Sequence, residues 1–137
     1  MRLVIDSNEY IFAFGSVKTD AASRLFAKLV ETSPVHIVRI PRTVFEEVKR
    51  NLSPEERREF IIFINTFSLL DEDSSVSFEI GARYEKMGFK EADALIAAYT
   101  EWVGADALVT ENRHFLNKHP SLPFKVLTAE NCLRLIS

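Results

Sequence analysis

Two short apolar runs, Leu3-Val4-Ile5 and Ala107-Leu108-Val109, limit how this chain folds more than any other feature. Neither alternates with polar residues, so a strand built from either has no solvated face. Strands of that kind belong to a parallel sheet covered on both sides, and parallel neighbours need helices to connect them. The intervening sequence supplies those helices. Ala22, Leu25, Phe26, Leu29 and Val30 recur at helical spacing within 20–31. Val44, Val48 and Leu52 repeat every four residues after Pro41, read as a first-turn proline opening a helix. Ser53-Pro54-Glu55-Glu56 combines a cap with an acidic first turn, for a helix running to about residue 67. Further helices are expected over 77–87 and 91–103, stopped by Gly88 and Gly104, then over 112–118 and from Thr128 to Leu135. Residues 36–40 and 125–127 read as two more strands, and the polar segment 69–75 as a loop. The predicted fold class is α/β, a Rossmann-like three-layer sandwich with a central parallel sheet, in one domain over 1–137.

Composition removes several classes of function. A net charge of −3 excludes a basic coat for nucleic acid, while leaving room for a local basic face. The single cysteine, Cys132, forbids an intrachain disulfide or a cysteine-rich zinc site. The longest apolar run, residues 94–99, is far short of a membrane span, which needs about 20 residues. Asp6 interrupts the apolar start, so the expectation is a cytoplasmic protein without a signal peptide.

Ligands of open α/β sheets gather outside the carboxyl ends of the strands. Asp6-Ser7-Asn8 follows the first apolar run, and Thr110-Glu111-Asn112 follows the second. By itself Asp6 reads equally well as a helix cap. Glu46 and Glu47 point in different directions on their helix, and Glu46 is placed to face Arg50. Asp93 stands out because its helix, Ala-Asp-Ala-Leu-Ile-Ala-Ala-Tyr, is otherwise almost wholly apolar. A carboxylate there is costly unless it is hydrogen-bonded, paired or bound to metal. If Asp6, Glu47 and Asp93 converge, their repulsion raises their pKa values until a cation relieves it. Oxygen donors without cysteine or clustered histidine favour Mg²⁺ or Mn²⁺ over zinc.

The segments Leu-Val-Ile-Asp-Ser-Asn, Ile-Pro-x-x-Val-Phe-Glu-Glu-Val, Glu-Ala-Asp-Ala-Leu-Ile-Ala-Ala and Ala-Leu-Val-Thr-Glu-Asn-Arg-His-Phe together resemble the PIN-domain family, in its order and across nearly the whole chain. The resemblance implies a PIN-like sandwich and a metal-dependent endoribonuclease. It is closest to single-domain VapC-like toxins, which are usually dimeric and held inactive by a small antitoxin. Carried over residue by residue, it implies Asp6, Glu47 and Asp93 as metal ligands and catalytic acids, with Asn8 and Thr110 in support. The family's fourth acidic position holds Asn112, which keeps polarity but adds no charge, so one-metal chemistry is expected. Glu111 is adjacent and offers a supporting carboxylate, though its side chain should project elsewhere. Arg113 and His114 follow directly and are placed to bind the RNA substrate. The alternative is a non-catalytic PIN module that binds RNA or a protein partner. A small-molecule phosphohydrolase fits less well, because Asn8 stands where a second aspartate is wanted and no Gly-rich phosphate loop is present.

Two stretches remain. Arg42, Lys49, Arg50, Arg57 and Arg58 could line an RNA path, but interleaved glutamates favour a mixed solvated surface. Phe60-Ile61-Ile62-Phe63-Ile64 is more apolar than one helix face requires, and reads as a helix buried on two sides ahead of a dimer seam or antitoxin groove.

Overall fold

A computed structural model of the chain describes residues 1–118, without the side chain of 118, and 121–137; His119, given no ligand role by the sequence, lies outside them. The chain begins with strand β1 (Arg2–Ile5), then helices α1 (Ser7–Phe14) and α2 (Asp20–Glu31). Strand β2 (Ile37–Pro41) leads into α3 (Arg42–Arg50) and α4 (Pro54–Phe67), and β3 (Ser68–Asp71) follows. A 3-10 turn over Asp73–Ser75 precedes α5 (Phe78–Lys86) and α6 (Glu91–Trp102). The chain ends with β4 (Ala107–Val109), α7 (Arg113–Lys118), β5 (Lys125–Leu127) and α8 (Ala129–Ile136).

The five strands form one parallel sheet in the order β3-β2-β1-β4-β5. Strand β1 is central because the two most apolar runs pair with each other, Leu3 opposite Ala107 and Ile5 opposite Val109. All six residues of those runs are at most 1% exposed, so both faces of the sheet centre are covered. The chain extends to one side of β1 first and then crosses to the other. The reversal leaves a crevice at the carboxyl ends of β1 and β4.

Helix ends follow local chemistry. Ser53 and Glu56 form a reciprocal capping box with Pro54 in the first turn of α4, and Thr19 and Thr128 cap α2 and α8. Pro41 is the last residue of β2 and the extended residue before α3, not its first helical residue. On one side of the sheet, Tyr10, Phe14, Phe26, Phe60 and Phe63 interlock with ring centroids 5.0–5.8 Å apart.

Two expectations need correction. Residues 69–75 are not a loop: Ser68–Asp71 is the edge strand β3, paired with β2. Its two leucines carry too weak an apolar signal by themselves. The strand is secured instead by Arg39 of β2, which grips Asp71 through two bonds of 3.0 and 2.7 Å, and by the Tyr99 hydroxyl, which donates to Asp71 at 2.5 Å. Burial pushes the Asp71 carboxyl up, but those hydrogen bonds outweigh it and hold it below the usual carboxylate range. Helix α4, in turn, is not buried on two sides. Phe60, Phe63 and Ile64 face the core while Ile62 is 56% exposed, because contiguous apolar residues at about 100° per step must span more than one face.

Tyr10 is fully buried, and its hydroxyl has no hydrogen-bond partner among the described residues. Replacing it with Phe keeps the ring contacts and removes a desolvated polar atom. Tyr10→Phe is therefore expected to raise urea-denaturation stability by about 1 kcal/mol. A loss of similar size would show that the hydroxyl is satisfied in solution.

Candidate functional site

The crevice at the ends of β1 and β4 deepens into a cavity of about 210 Å³ whose lining includes Asp6, Glu47, Asp73 and Asp93. Asp6 is delivered by β1. Its backbone N–H donates to the Val109 carbonyl at 2.9 Å, continuing the β1–β4 pairing by one residue. One carboxylate oxygen, Oδ1, accepts from the Ser7 N–H at 2.8 Å as the cap of α1, and Oδ2 accepts from the Thr110 hydroxyl at 2.7 Å. Thr110 is completely buried, and its Oγ1 also accepts from the Asn112 N–H at 3.0 Å. The cap and cavity readings of Asp6 therefore hold together. Burial raises its pKa above the ordinary value and the charges of Glu47 and Asp93 add to that, against the opposing bonds from Thr110 and Ser7.

Asp93 lies in the first turn of α6, where the helix dipole favours a carboxylate. Its Oδ1 accepts from Asn112 Nδ2 at 3.3 Å. The orientation of that amide is dictated by its other end, since Asn112 Oδ1 accepts from the His114 N–H at 2.9 Å. An aspartate at 112 would set a second charge against Asp93, whereas the asparagine gives it a donor. Glu47 faces the cavity from α3, while its neighbour Glu46 turns away to Arg42 at 3.6 Å and Lys49 at 3.3 Å. The partner expected for Glu46, Arg50, is not one of the two.

Asn8 lines the cavity mouth and is exposed. Arg113 and His114 are exposed on α7, and His114 shares a small notch with Asp93. Glu111 turns away from the cavity and caps α8, its Oε2 accepting from the Ala129 N–H at 2.9 Å. Successive residues after a strand point to opposite sides, so Thr110 and Asn112 face Asp6 and Asp93 while Glu111 cannot.

Asp73 was not visible as a site residue in the sequence. It accepts from the Thr43 N–H at 3.3 Å and from the Thr43 hydroxyl at 2.5 Å, so it caps α3 from thirty residues away in sequence. A local clue existed: Pro41 offers α3 no side-chain cap, so another group must satisfy the helix start.

Among the described residues, no group of three or more His, Cys, Asp or Glu is drawn together closely enough to form a coordination shell outright. The donor set nevertheless fits a hard divalent cation in kind, being carboxylate, hydroxyl and amide oxygens in a partly buried cavity. Among the described residues, no lysine or arginine forms an ion pair with Asp6, Glu47, Asp73 or Asp93.

No family model matches the chain, and no curated protein matches its sequence. Among solved structures it is similar to a chain of VapBC2 from Rickettsia felis, determined bound to a DNA fragment from its promoter. The match has a TM-score of 0.62 at 17% sequence identity, covering 93% of this chain and 98% of that one. The fold is therefore shared: the five-stranded parallel sheet with its helices is the PIN-like α/β sandwich that the sequence resembles.

A further carboxyl lies beneath the site. Glu9 on α1 is 1% exposed, and its Oε2 has no partner among the described residues. Burial pushes its pKa up to about 9, and a hydrogen bond and charge repulsion from Glu111 contribute. The folded chain thus holds a proton that the unfolded chain releases near pH 4.5. Stability from this group is complete below that pH and is lost as the pH rises toward 9. Urea titrations at pH 5 and 8 should show the native chain weakening with pH, and Glu9→Gln weakening much less. An equal slope in both would place the proton elsewhere.

Proposed function

We propose that this PIN-like fold carries a Mg²⁺- or Mn²⁺-dependent endoribonuclease, the toxin component of a toxin–antitoxin pair. The observation behind this reading is that Asp6, Glu47 and Asp93, from three separate elements, line one cavity without a basic side chain to neutralise them. Other partly buried acids of the chain do have a basic partner, as in Arg39–Asp71 and Arg83–Glu101. A cluster left with unbalanced charge has to draw its counter-charge from solution.

In this reading Asp6, Glu47 and Asp93 hold the cation. When bound, it would neutralise charge on the phosphodiester under attack and acidify a water. Thr110 holds Asp6 in one orientation, and Asn112 does the same for Asp93 through its amide. The free lone pairs of those carboxylates then face the cavity. Asn8 sits at the mouth, where its amide can bond the substrate, and the Val44, Val76 and Ile96 side chains give the cavity an apolar wall that limits water. One cation suffices, because position 112 supplies an amide and not a fourth charge.

The partner side of the proposal has its own support. A groove of about 600 Å³ between α1, α2 and α4 is lined by Phe14, Phe26, Val30, Ile62, Phe63 and Phe67, where the exposed apolar face of α4 lies. An apolar segment of a small antitoxin would bury that face, and the VapBC2 neighbour is itself a two-component assembly. A homodimer is the expected state of the toxin. Among the described residues, no helix is long and apolar enough to cross a membrane.

The test is cleavage of a mixed-sequence single-stranded RNA with added Mn²⁺. The native chain should cut it and lose that activity in chelator. Asp6→Asn, Glu47→Gln and Asp93→Asn should each lower the rate by more than about 100-fold. Asp93→Asn should remain folded, since it removes a repelling charge. Binding of RNA without cleavage would instead identify a non-catalytic module.

A further inference from the structure

Two buried rings set the shape of the notch that meets the acidic cavity at Asp93. Phe89, in the turn between α5 and α6, stacks on Phe115 of α7 with centroids 5.0 Å apart and planes inclined by 27°. Both rings are at most 6% exposed. Each is next in sequence to an exposed polar residue, Lys90 after Phe89 and His114 before Phe115. The stacked pair therefore ties the two segments together and presents Lys90 and His114 on one surface. With Gly88, whose φ of 97° is open to glycine and strained for other residues, they line the notch beside Asp93.

Of the described residues that line the cavity and the notch, Lys90 alone is a lysine or arginine, and several of the cations nearby are already neutralised. Arg42 is shared by Glu46 and Glu72, Lys49 is held by Glu46, and Arg39 is bound by Asp71. Lys90 forms no ion pair among the described residues, and His114 presents ring nitrogens that hydrogen-bond phosphate in either protonation state. An RNA strand with one phosphodiester over Asp6, Glu47 and Asp93 meets four carboxylates around that point. Its next phosphate is repelled from every part of the rim except the part that carries free positive charge.

We propose that Lys90 and His114 form a subsite for the phosphate adjoining the scissile one. The strand then runs from the cavity across Asp93 toward the α5–α6 turn, and not along the arginines of α3 and α4. This assignment rests on the nuclease reading above and adds the direction of the substrate to it.

The experiment uses the full chain and a single-stranded RNA decamer containing the cleaved bond. In two further decamers a neutral methylphosphonate replaces the phosphate on one side of that bond or the other. For the native chain, neutralising one of these two phosphates should raise KM about tenfold with kcat little changed. Lys90→Ala should raise KM on the unmodified RNA by a similar factor, and reduce the slope of log affinity against log salt by about 0.7. The decisive result is that the methylphosphonate at the sensitive position costs Lys90→Ala much less than it costs the native chain. His114→Ala should follow the same pattern more weakly, and Arg58→Ala, on the exposed face of α4, should behave as native. Thermal unfolding of each variant confirms an unchanged fold. Additive losses in Lys90→Ala, or a loss in Arg58→Ala as large as in Lys90→Ala, overturns the subsite while leaving the nuclease standing. A native chain that cleaves none of the three RNAs overturns the nuclease reading and the subsite with it.

Discussion

The Thr110 hydroxyl donates to the Asp6 carboxylate, and with the bond from the Asp6 N–H to the Val109 carbonyl it joins the ends of two central strands at the point where the sheet reverses direction. Around it the chain sets a charge balance that it does not close internally. Asp6 is buried enough that desolvation raises its pKa, and Glu47 and Asp93 are close enough to raise it further. The hydrogen bonds from Thr110 and the Ser7 N–H keep the carboxylate oriented but bring no countercharge. The rest of the site elaborates this imbalance. Asn112 gives Asp93 a donor where a fourth acid would have added repulsion, and Asp73 spends both oxygens on Thr43.

Several acids in the surrounding fold are balanced where those of the cavity are not. Asp71, Glu72, Glu46 and Glu101 each have an arginine or lysine partner, and those pairs lock secondary structure. Arg39 and Tyr99 on Asp71 fasten the edge strand to α6, the helix that carries Asp93. Tyr99 itself lines the cavity, so the clamp on β3 also sets the position of α6 over the site. The buried Phe89–Phe115 stack performs a similar task at the other end of α6.

Much of this was legible in the amino-acid sequence, for identifiable reasons. Central strands lack a solvated face, and their unbroken apolar runs say so; the capping residues Ser53, Thr128 and Gly104 mark helix ends by local chemistry. Asp93 was conspicuous because an acid inside an apolar helix needs a reason. What escaped depends on pairs distant in sequence. Strand β3 is held by Arg39 and Tyr99, 32 and 28 residues from Asp71, and nothing in Ser-Leu-Leu-Asp reports either. Asp73 looked like one acid of a polar loop until its contact with Thr43 placed it at the cavity. The outward face of α4 escaped for a different reason: a run of five apolar residues shows how much surface is apolar, not which part of it the fold covers.

The claim that most of the account rests on is that the acids around Asp6 form one cation site. It is tested most directly by thermal unfolding of the native chain, Asp6→Asn and Asp93→Asn across a Mn²⁺ titration. Saturable stabilisation of the native chain is predicted, about 2.7 kcal/mol at a hundred times the Kd, with none in either variant. Equal responses from all three chains, or none from the native one, would contradict it.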